Sequence, residues 1–232
     1  MRFSLIIPCF NEAKNIPLLL DRCSSLNNSD IEIIIVDNGS TDQTQQVIKE
    51  NIEKYPGCRS IRLEKNIGYG HGIIEGLNAA EGEILGWTHA DLQTDPADAL
   101  TGLSYFNEHG NNIFCKGKRY GRPLLDLFFT IGMSIFESIL MRRKFWDINA
   151  QPTMFSKEFF ESWDEPPQDF SIDLFAYYMA KKNNLSIYRF PVLFSDRAYG
   201  ASHWNFGFRS RIKFIKRTIS YSIKLIKKID HK

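Results

Sequence analysis

The chain has 232 residues, 43% of them hydrophobic and 24% charged, a balance that suits one folded α/β domain and excludes a wholly disordered chain. Its net charge of +2 hides a polarity: residues 207–232 hold nine Lys or Arg against Asp230 alone, leaving 20 basic and 26 acidic residues, a net of −6, in the body. A basic tail on an acidic body calls for an anionic partner or a solvated helix, and nothing in the pattern calls for nucleic acid.

The opening run MRFSLIIPCFNE is stopped by polar residues almost at once, so it reads as a buried strand over 3–8 and not as a signal peptide. Further apolar runs predict strands over 31–37, 60–63, 83–87 and 112–116, and amphipathic patterns predict helices over 15–27, 42–54, 70–80 and 96–109. Thr41-Asp42 stands where an N-cap belongs, and Asp95-Pro96 opens a helix with Pro in its first turn. Strands apolar on both sides that alternate with helices predict a mostly parallel sheet covered by helices. In the second half, helices over 123–142 and 171–183 and a strand over 185–192 precede a loop at 195–206 and a basic helix. The apolar stretch at 124–140 is broken by Asp126, Thr130, Ser134 and Glu137 and falls short of the roughly 20 apolar residues a membrane span needs. The expectation is one domain over 1–206 and an amphipathic helix over 207–232, with no segment crossing a bilayer. Cys9, Cys23, Cys58 and Cys115 show no C-x-x-C spacing and read as reduced thiols in the cytoplasm.

Sheets of this kind bind ligands beyond the carboxyl ends of their strands. The first strand ends in Pro8-Cys9-Phe10-Asn11-Glu12, the second in Asp37-Asn38-Gly39-Ser40 and the fourth in His89-Ala90-Asp91-Leu92-Gln93. Such a set can bracket a base and ribose and hold Mg²⁺ or Mn²⁺ against a diphosphate, because hard oxygen ligands suit those cations. The cluster Gly68-Tyr69-Gly70-His71-Gly72 does not match G-x-G-x-x-G, so it reads as a close backbone approach to a ligand or as a structural turn.

The order SLIIPCFNE, IIIVDNGSTD and NIGYGHGIIEGLNAAEGEILGWTHADLQTDP resembles the family 2 glycosyltransferases, most of all the branch of dolichyl-phosphate mannose synthases and bactoprenol glucosyltransferases. The likeness continues through Lys118-Arg119, Asp147-Ile148-Asn149-Ala150-Gln151-Pro152 and Phe170-Ser171-Ile172-Asp173 to Arg197-Ala198-Tyr199-Gly200-Ala201-Ser202-His203-Trp204. The resemblance implies a GT-A fold binding a UDP- or GDP-sugar. Pro8, Phe10, Asn11, Glu12 and Asp37 would contact base and ribose, with Gly68 beside them. Asp91 and Gln93 would hold the metal, and Arg119, Arg197 and Ser202 would hold phosphate. His89 stands where the family has an Asp, and His203 where it has a Lys. A neutral imidazole at 89 can still ligate Mn²⁺ or hydrogen-bond a ribose hydroxyl, so an altered metal preference is expected. The implied reaction is inverting transfer to a polyprenyl phosphate, whose anion needs arginines (Arg119, Arg122, Arg197) and no base. The alternatives are transfer to a saccharide hydroxyl with Asp173 as the acid near the acceptor, and a non-catalytic nucleotide-sugar-binding homologue.

In the tail, Phe208, Ile212, Ile215, Ile219, Ile223, Ile226 and Ile229 recur at spacings of three and four and form one stripe among basic residues. Such a helix suits the surface of an anionic membrane, lying flat at its inner face. The same stripe could instead dock on the domain's own core or form the seam of a homo-oligomer.

Overall fold

The computed structural model describes residues 2–26, 29–199, 216 and 218–227. Its strands are β1 (Phe3–Cys9), β2 (Ile31–Asp37), β3 (Cys58–Arg62), β4 (Ile84–Trp87), β5 (Ile113–Tyr120), β6 (Thr153–Ser156) and β7 (Ser186–Leu193). They form one sheet in the order β3-β2-β1-β4-β6-β5-β7. Pairing is parallel except at β4–β6 and β5–β6. The helices are α1 (Ile16–Cys23), α2 (Thr44–Asn51), α3 (Tyr69–Ala79), α4 (Asp98–His109), α5 (Leu124–Leu140), α6 (Lys157–Glu161) and α7 (Ile172–Lys182).

β1 and β2 are buried along their whole lengths because both sheet faces are covered, as their unbroken apolar runs require. Alternation along the strand sorts them into two cores: Leu5, Ile7, Ile33 and Ile35 face α1 and α4, while Ile6, Ile34 and Val36 face α3 and α7. The chain leaves β1 toward β2 and β3 on one side and returns to β4 on the other. The carboxyl ends of β1 and β4 therefore flank a switch point, where such sheets hold ligands.

Two differences from the sequence reading bear on the site. Strand β5 runs on to Tyr120 because β7 pairs with it along eight residues, so Lys118 and Arg119 lie within a strand. The four-residue β6 and the short α6, capped by Ser156 accepting from Phe159 N at 3.3 Å, fill a region where no element was predicted. The cap expected at Thr41-Asp42 is displaced: Gln43 is the N-cap of α2 and makes no side-chain cap bond, while the Asp42 carboxylate just before it accepts from Thr44 N at 2.9 Å.

Helix α5 is unusual in its polarity. It buries Ser134 and Glu137 and turns its large apolar residues outward. Against its inner face lies the helix over 218–227: Ser222 donates to Glu137, and Leu225 joins the core between the sheet and α7. Of the predicted tail stripe, Ile226 packs on that core while Ile223 is exposed; Phe208, Ile212, Ile215 and Ile229 lie outside the described residues.

Candidate functional site

Backbone contacts tie the strand ends into one rim. Asn38 N donates to Cys9 O at 2.9 Å, joining β2 to β1, and the Asn38 side-chain amide donates to Gly68 O at 2.9 Å, bringing in the start of α3. Asn11 adopts φ 58°, a left-handed conformation that Asn tolerates. Its side-chain oxygen accepts from Thr41 N at 2.9 Å and Asp42 N at 3.3 Å. Asn11 thus fixes the loop after β2, while Pro8 is buried in β1 and the Phe10 ring is exposed beside it. Glu12 is held by the Asn15 amide; burial raises its pKa, and the charge of Asp91 pushes the same way.

Asp37 is 1% exposed, and both of its oxygens are engaged. Ser40 N donates to one at 2.9 Å, and Arg62 pairs with the other at 2.5 Å. The sequence reading missed Arg62, yet the strand register pairs Asp37 with Arg62 directly across β2–β3, so alignment of the two strand ends was the available signal.

After β4 the chain makes a short loop closed by the hydroxyls of Thr88 and Thr94, 3.3 Å apart, with Leu92 at φ 60°. The loop presents His89, Asp91 and Gln93. Asp91 accepts from Gln93 N at 3.2 Å, and Arg197 pairs with its other oxygen at 2.9 Å. Arg197 also donates from Nε to the Gln93 side-chain oxygen at 3.3 Å, and Ser195 N donates to Gln93 O at 2.8 Å. The segment after β7 is thereby laid across the β4 loop, and three predicted residues, Asp91, Gln93 and Arg197, meet. His89 stacks on Tyr69, with centroids 5.7 Å apart, and Tyr69 stacks in turn on Phe170 at 4.9 Å. Burial lowers the His89 pKa although Asp91 and Asp173 oppose it, so the ring is neutral near pH 7.

Other predicted residues are placed differently. Arg119 does not project free for a phosphate: its backbone N and its Nε each donate to Asp147 at 2.9 Å, and its guanidinium lies over Phe194. Asp147 is 2% exposed; burial alone would raise its pKa, but Arg119 and Arg189 hold it below the usual range. Arg122 donates to Thr130 on α5 and lies over the same Phe194 ring. Asp173 lies inside the protein. It is 2% exposed at the start of α7, accepts from Gln151 at 2.7 Å and Trp87 Nε1 at 3.3 Å, and sits 3.6 Å from the buried Lys116 ammonium. Burial brings the Lys116 pKa down to about 7 against the pull of Asp173. The close approach permitted by Gly68 is to the chain itself: a Cβ there would lie 2.1 Å from Gln168 O, and one at Gly70 would lie 2.5 Å from Pro167 O. Ser202 and His203 lie outside the described residues. All four cysteines are unbridged, and burial lifts Cys58 to about 11 and Cys115 to about 12, so these two thiols stay protonated at neutral pH.

Three kinds of likeness bear on this geometry. Among curated proteins, the chain is 34% identical to the dolichol-phosphate mannosyltransferase of Pyrococcus furiosus over 121 residues, which cover 52% of this chain and 34% of that protein. It is 35% identical over 103 residues to the undecaprenyl-phosphate 4-deoxy-4-formamido-L-arabinose transferase of Proteus mirabilis, covering 42% and 31%. The match thus spans about a third of the length of those relatives. Among solved structures, a mannosyltransferase from Pyrobaculum calidifontis in complex with GDP-Man and Mn²⁺ superposes with a TM-score of 0.69 at 21% identity, covering 97% of this chain and 64% of that one. Glucosyl-3-phosphoglycerate synthase from Mycobacterium tuberculosis, with Mn²⁺, UDP and glucosyl-3-phosphoglycerate, superposes at 0.68 and 19% identity, covering 95% and 80%. The architecture is therefore the GT-A fold. Since the model of glycosyl transferase family 2 matches residues 4–161, well over half of its length, the chain belongs to that family.

Proposed function

We propose that the chain transfers a sugar, with inversion, from a UDP- or GDP-sugar to a polyprenyl phosphate. The observation that carries this reading is the meeting of Asp91, Gln93 and Arg197 beyond β4, where oxygen donors for a divalent cation adjoin a guanidinium for phosphate. The relatives named for dolichol phosphate and undecaprenyl phosphate support a lipid-phosphate acceptor. A phosphate monoester is already anionic near pH 7 and needs positioning rather than deprotonation. The buried, doubly hydrogen-bonded Asp173, close to Lys116, is poorly placed to deprotonate a saccharide hydroxyl, which disfavours the alternative acceptor.

Among the described residues no three His, Cys, Asp or Glu side chains converge as a ligand set. Asp91, the Gln93 oxygen and the neutral His89 ring nevertheless suit Mn²⁺ or Mg²⁺ sharing its coordination with diphosphate and water oxygens. Such a cation supplies charge neutralisation for the departing diphosphate. Asp37 and Phe10 are proposed to meet the nucleoside and Arg197 the phosphates. No helix among the described residues is long and apolar enough to cross a membrane. The chain would act at the cytoplasmic membrane face, with the cations of 207–232 drawn to anionic lipid.

Incubation with radiolabelled UDP- and GDP-sugars and polyprenyl phosphate tests the proposal, with label expected in the organic phase. Label appearing instead in a polar saccharide would favour the hydroxyl acceptor. Nucleotide binding with no transfer at all would mark a non-catalytic homologue.

A further inference from the structure

We infer that Arg197 blocks the cation ligands until a nucleotide diphosphate arrives with the cation, so that the donor is taken as a cation–sugar-nucleotide complex. The inference rests on the proposed nucleotide-sugar donor and on the cation expected at Asp91 and Gln93. Residues 195–199 run from the end of β7 across the β4 loop to Asn15, the N-cap of α1. Ser195 N donates to Gln93 O at 2.8 Å, and the Gln93 amide nitrogen donates back to Ser195 O at 3.3 Å. Further along, Tyr199 O accepts from the Asn15 amide at 3.4 Å. Between these two ties the Arg197 guanidinium sits on the ligand oxygens. Its Nη2 pairs with Asp91 Oδ2 at 2.9 Å, and its Nε donates to Gln93 Oε1 at 3.3 Å. The other Asp91 oxygen accepts from Gln93 N at 3.2 Å.

A guanidinium and a divalent cation cannot share these oxygens, because both need the same lone pairs and their like charges repel. Charge decides which of the two holds them. His89 brings no negative charge to the loop in either protonation state. Between residues 88 and 94 the acid is Asp91, and Arg197 matches it. A second carboxylate at 89 would leave an excess of negative charge to draw in a bare cation. Glu12 faces the same pair from the end of β1, and its carboxylate is engaged by the Asn15 amide.

A sugar nucleotide changes that balance. Its diphosphate carries one negative charge on each phosphate, so its complex with a divalent cation is neutral overall. When a neutral complex meets the neutral Asp91–Arg197 pair, the partners exchange and no charge is left over. The guanidinium moves to phosphate oxygens, whose geometry suits its fork as a carboxylate does, and the Asp91 and Gln93 oxygens turn to the cation. Arg197 is placed for this exchange. Its side chain is 27% exposed, and residues 195–199 belong to no strand or helix. Either component alone leaves a charge unmatched: a bare cation strands Arg197, and a bare diphosphate that captures Arg197 strands Asp91. Cation and diphosphate therefore strengthen each other's binding, by the same factor in both directions.

Calorimetric titration of the full chain tests the inference, with Mn²⁺ alone, with UDP or GDP alone, and with Mn²⁺ and nucleotide together. Mn²⁺ is expected to bind about 10-fold more tightly, or better, in the presence of the diphosphate that the site accepts. UMP and GMP, which lack the second phosphate, should give little of that gain. Arg197→Gln should move two affinities in opposite directions: Mn²⁺ alone binds about 10-fold more tightly, and the nucleotide diphosphate about 10-fold more weakly. A residue that only held the loop in place would raise neither. Arg197→Lys keeps the charge and should leave Mn²⁺ alone weakly bound. His89→Asp should tighten Mn²⁺ alone with Arg197 in place, and it serves as the second variant if Arg197→Gln disturbs the fold. Equal Mn²⁺ affinity with and without nucleotide overturns the inference. So does an Mn²⁺ affinity that neither Arg197→Gln nor His89→Asp raises. These titrations contain no acceptor, so the two readings fail separately. Coupled binding with no label reaching polyprenyl phosphate is a failure of the proposed function, whereas transfer with Mn²⁺ affinity indifferent to nucleotide is a failure of the Arg197 exchange.

Discussion

Substituting Glu137 with glutamine isolates the cost of keeping a carboxylate inside the α5 interface. The Glu137 side chain is 1% exposed; one oxygen accepts from Ser222 and the other has no hydrogen-bond partner among the described residues. Burial raises its pKa from 4.5 to about 7, with the Ser222 hydroxyl working the other way. Below about pH 4.5 the folded and unfolded chains both carry the proton, and no cost arises. Between 4.5 and 7 the folded chain retains a proton that the unfolded chain has released, so stability falls as pH rises. Above pH 7 the loss is complete and constant. The displacement corresponds to about 3 kcal/mol.

Glutamine keeps an acceptor for Ser222 and removes the charge. Glu137→Gln should therefore be the more stable protein at pH 8, by about 2–3 kcal/mol, which is about 5–10 °C in Tm for a chain of this size. The advantage should shrink steadily as pH is lowered toward 5. Urea unfolding at several pH values, with unchanged m, gives the difference directly. An advantage of the same size at pH 5 and pH 8, or a variant less stable at pH 8, would refute the reasoning, because the effect would then not be the ionisation of Glu137.

Three other outcomes are expected. Asp91→Ala should cut turnover by at least about 10²-fold and abolish the dependence of UDP or GDP affinity on Mn²⁺; calorimetry with and without the cation checks this even if no donor sugar is known. Asp37→Ala should weaken nucleotide binding by about 1–3 kcal/mol, and unchanged affinity would assign Asp37 to holding Arg62 alone. Asp147→Ala strands the Arg119 guanidinium beside Phe194 and should destabilise the fold by about 3 kcal/mol in urea titration.

Much of the fold was legible because its strands are unbroken apolar runs. Strand β2 coincides with the predicted span, and the ends of β1, β2 and β4 could be named in advance as the rim. Strand β6 was not legible: four residues after a proline carry no periodicity, and their antiparallel partners β4 and β5 are distant in sequence. The polarity of α5 illustrates a deeper limit. The polar residues interrupting 124–140 were visible, but periodicity defines two faces of a helix without saying which meets the protein. The same limit applies to Asp173 and Arg119. A motif position identified each residue, but the burial of Asp173 beside Lys116, and the capture of Arg119 by Asp147, depend on β5, α7 and the 141–152 segment packing together. The glycines after β3 were read as a close approach to a ligand or as a structural turn, and the space beside Gly68 and Gly70 is taken by the backbone at 167–169.

The ion pairs around the rim explain why so few of its charges are free to balance a cation or a phosphate. Asp37 is matched by Arg62, Asp147 by Arg119 and Asp173 by Lys116. In each of these pairs the carboxylate is at most 3% exposed, so separation would leave a buried charge unmatched, at a cost of several kcal/mol. Asp91 and Arg197 differ. Their side chains are 11% and 27% exposed, the pair sits at the open end of β4, and Arg197 belongs to an irregular segment after β7 rather than to a strand. This pair alone among the four can separate without stranding a charge in the core. A histidine at 89, neutral where the family has an acid, leaves Asp91 as the carboxylate of that loop, so one arginine suffices to balance it. The negative charge of that loop and the guanidinium of Arg197 are therefore set against each other where a phosphate and a divalent cation would need one of each.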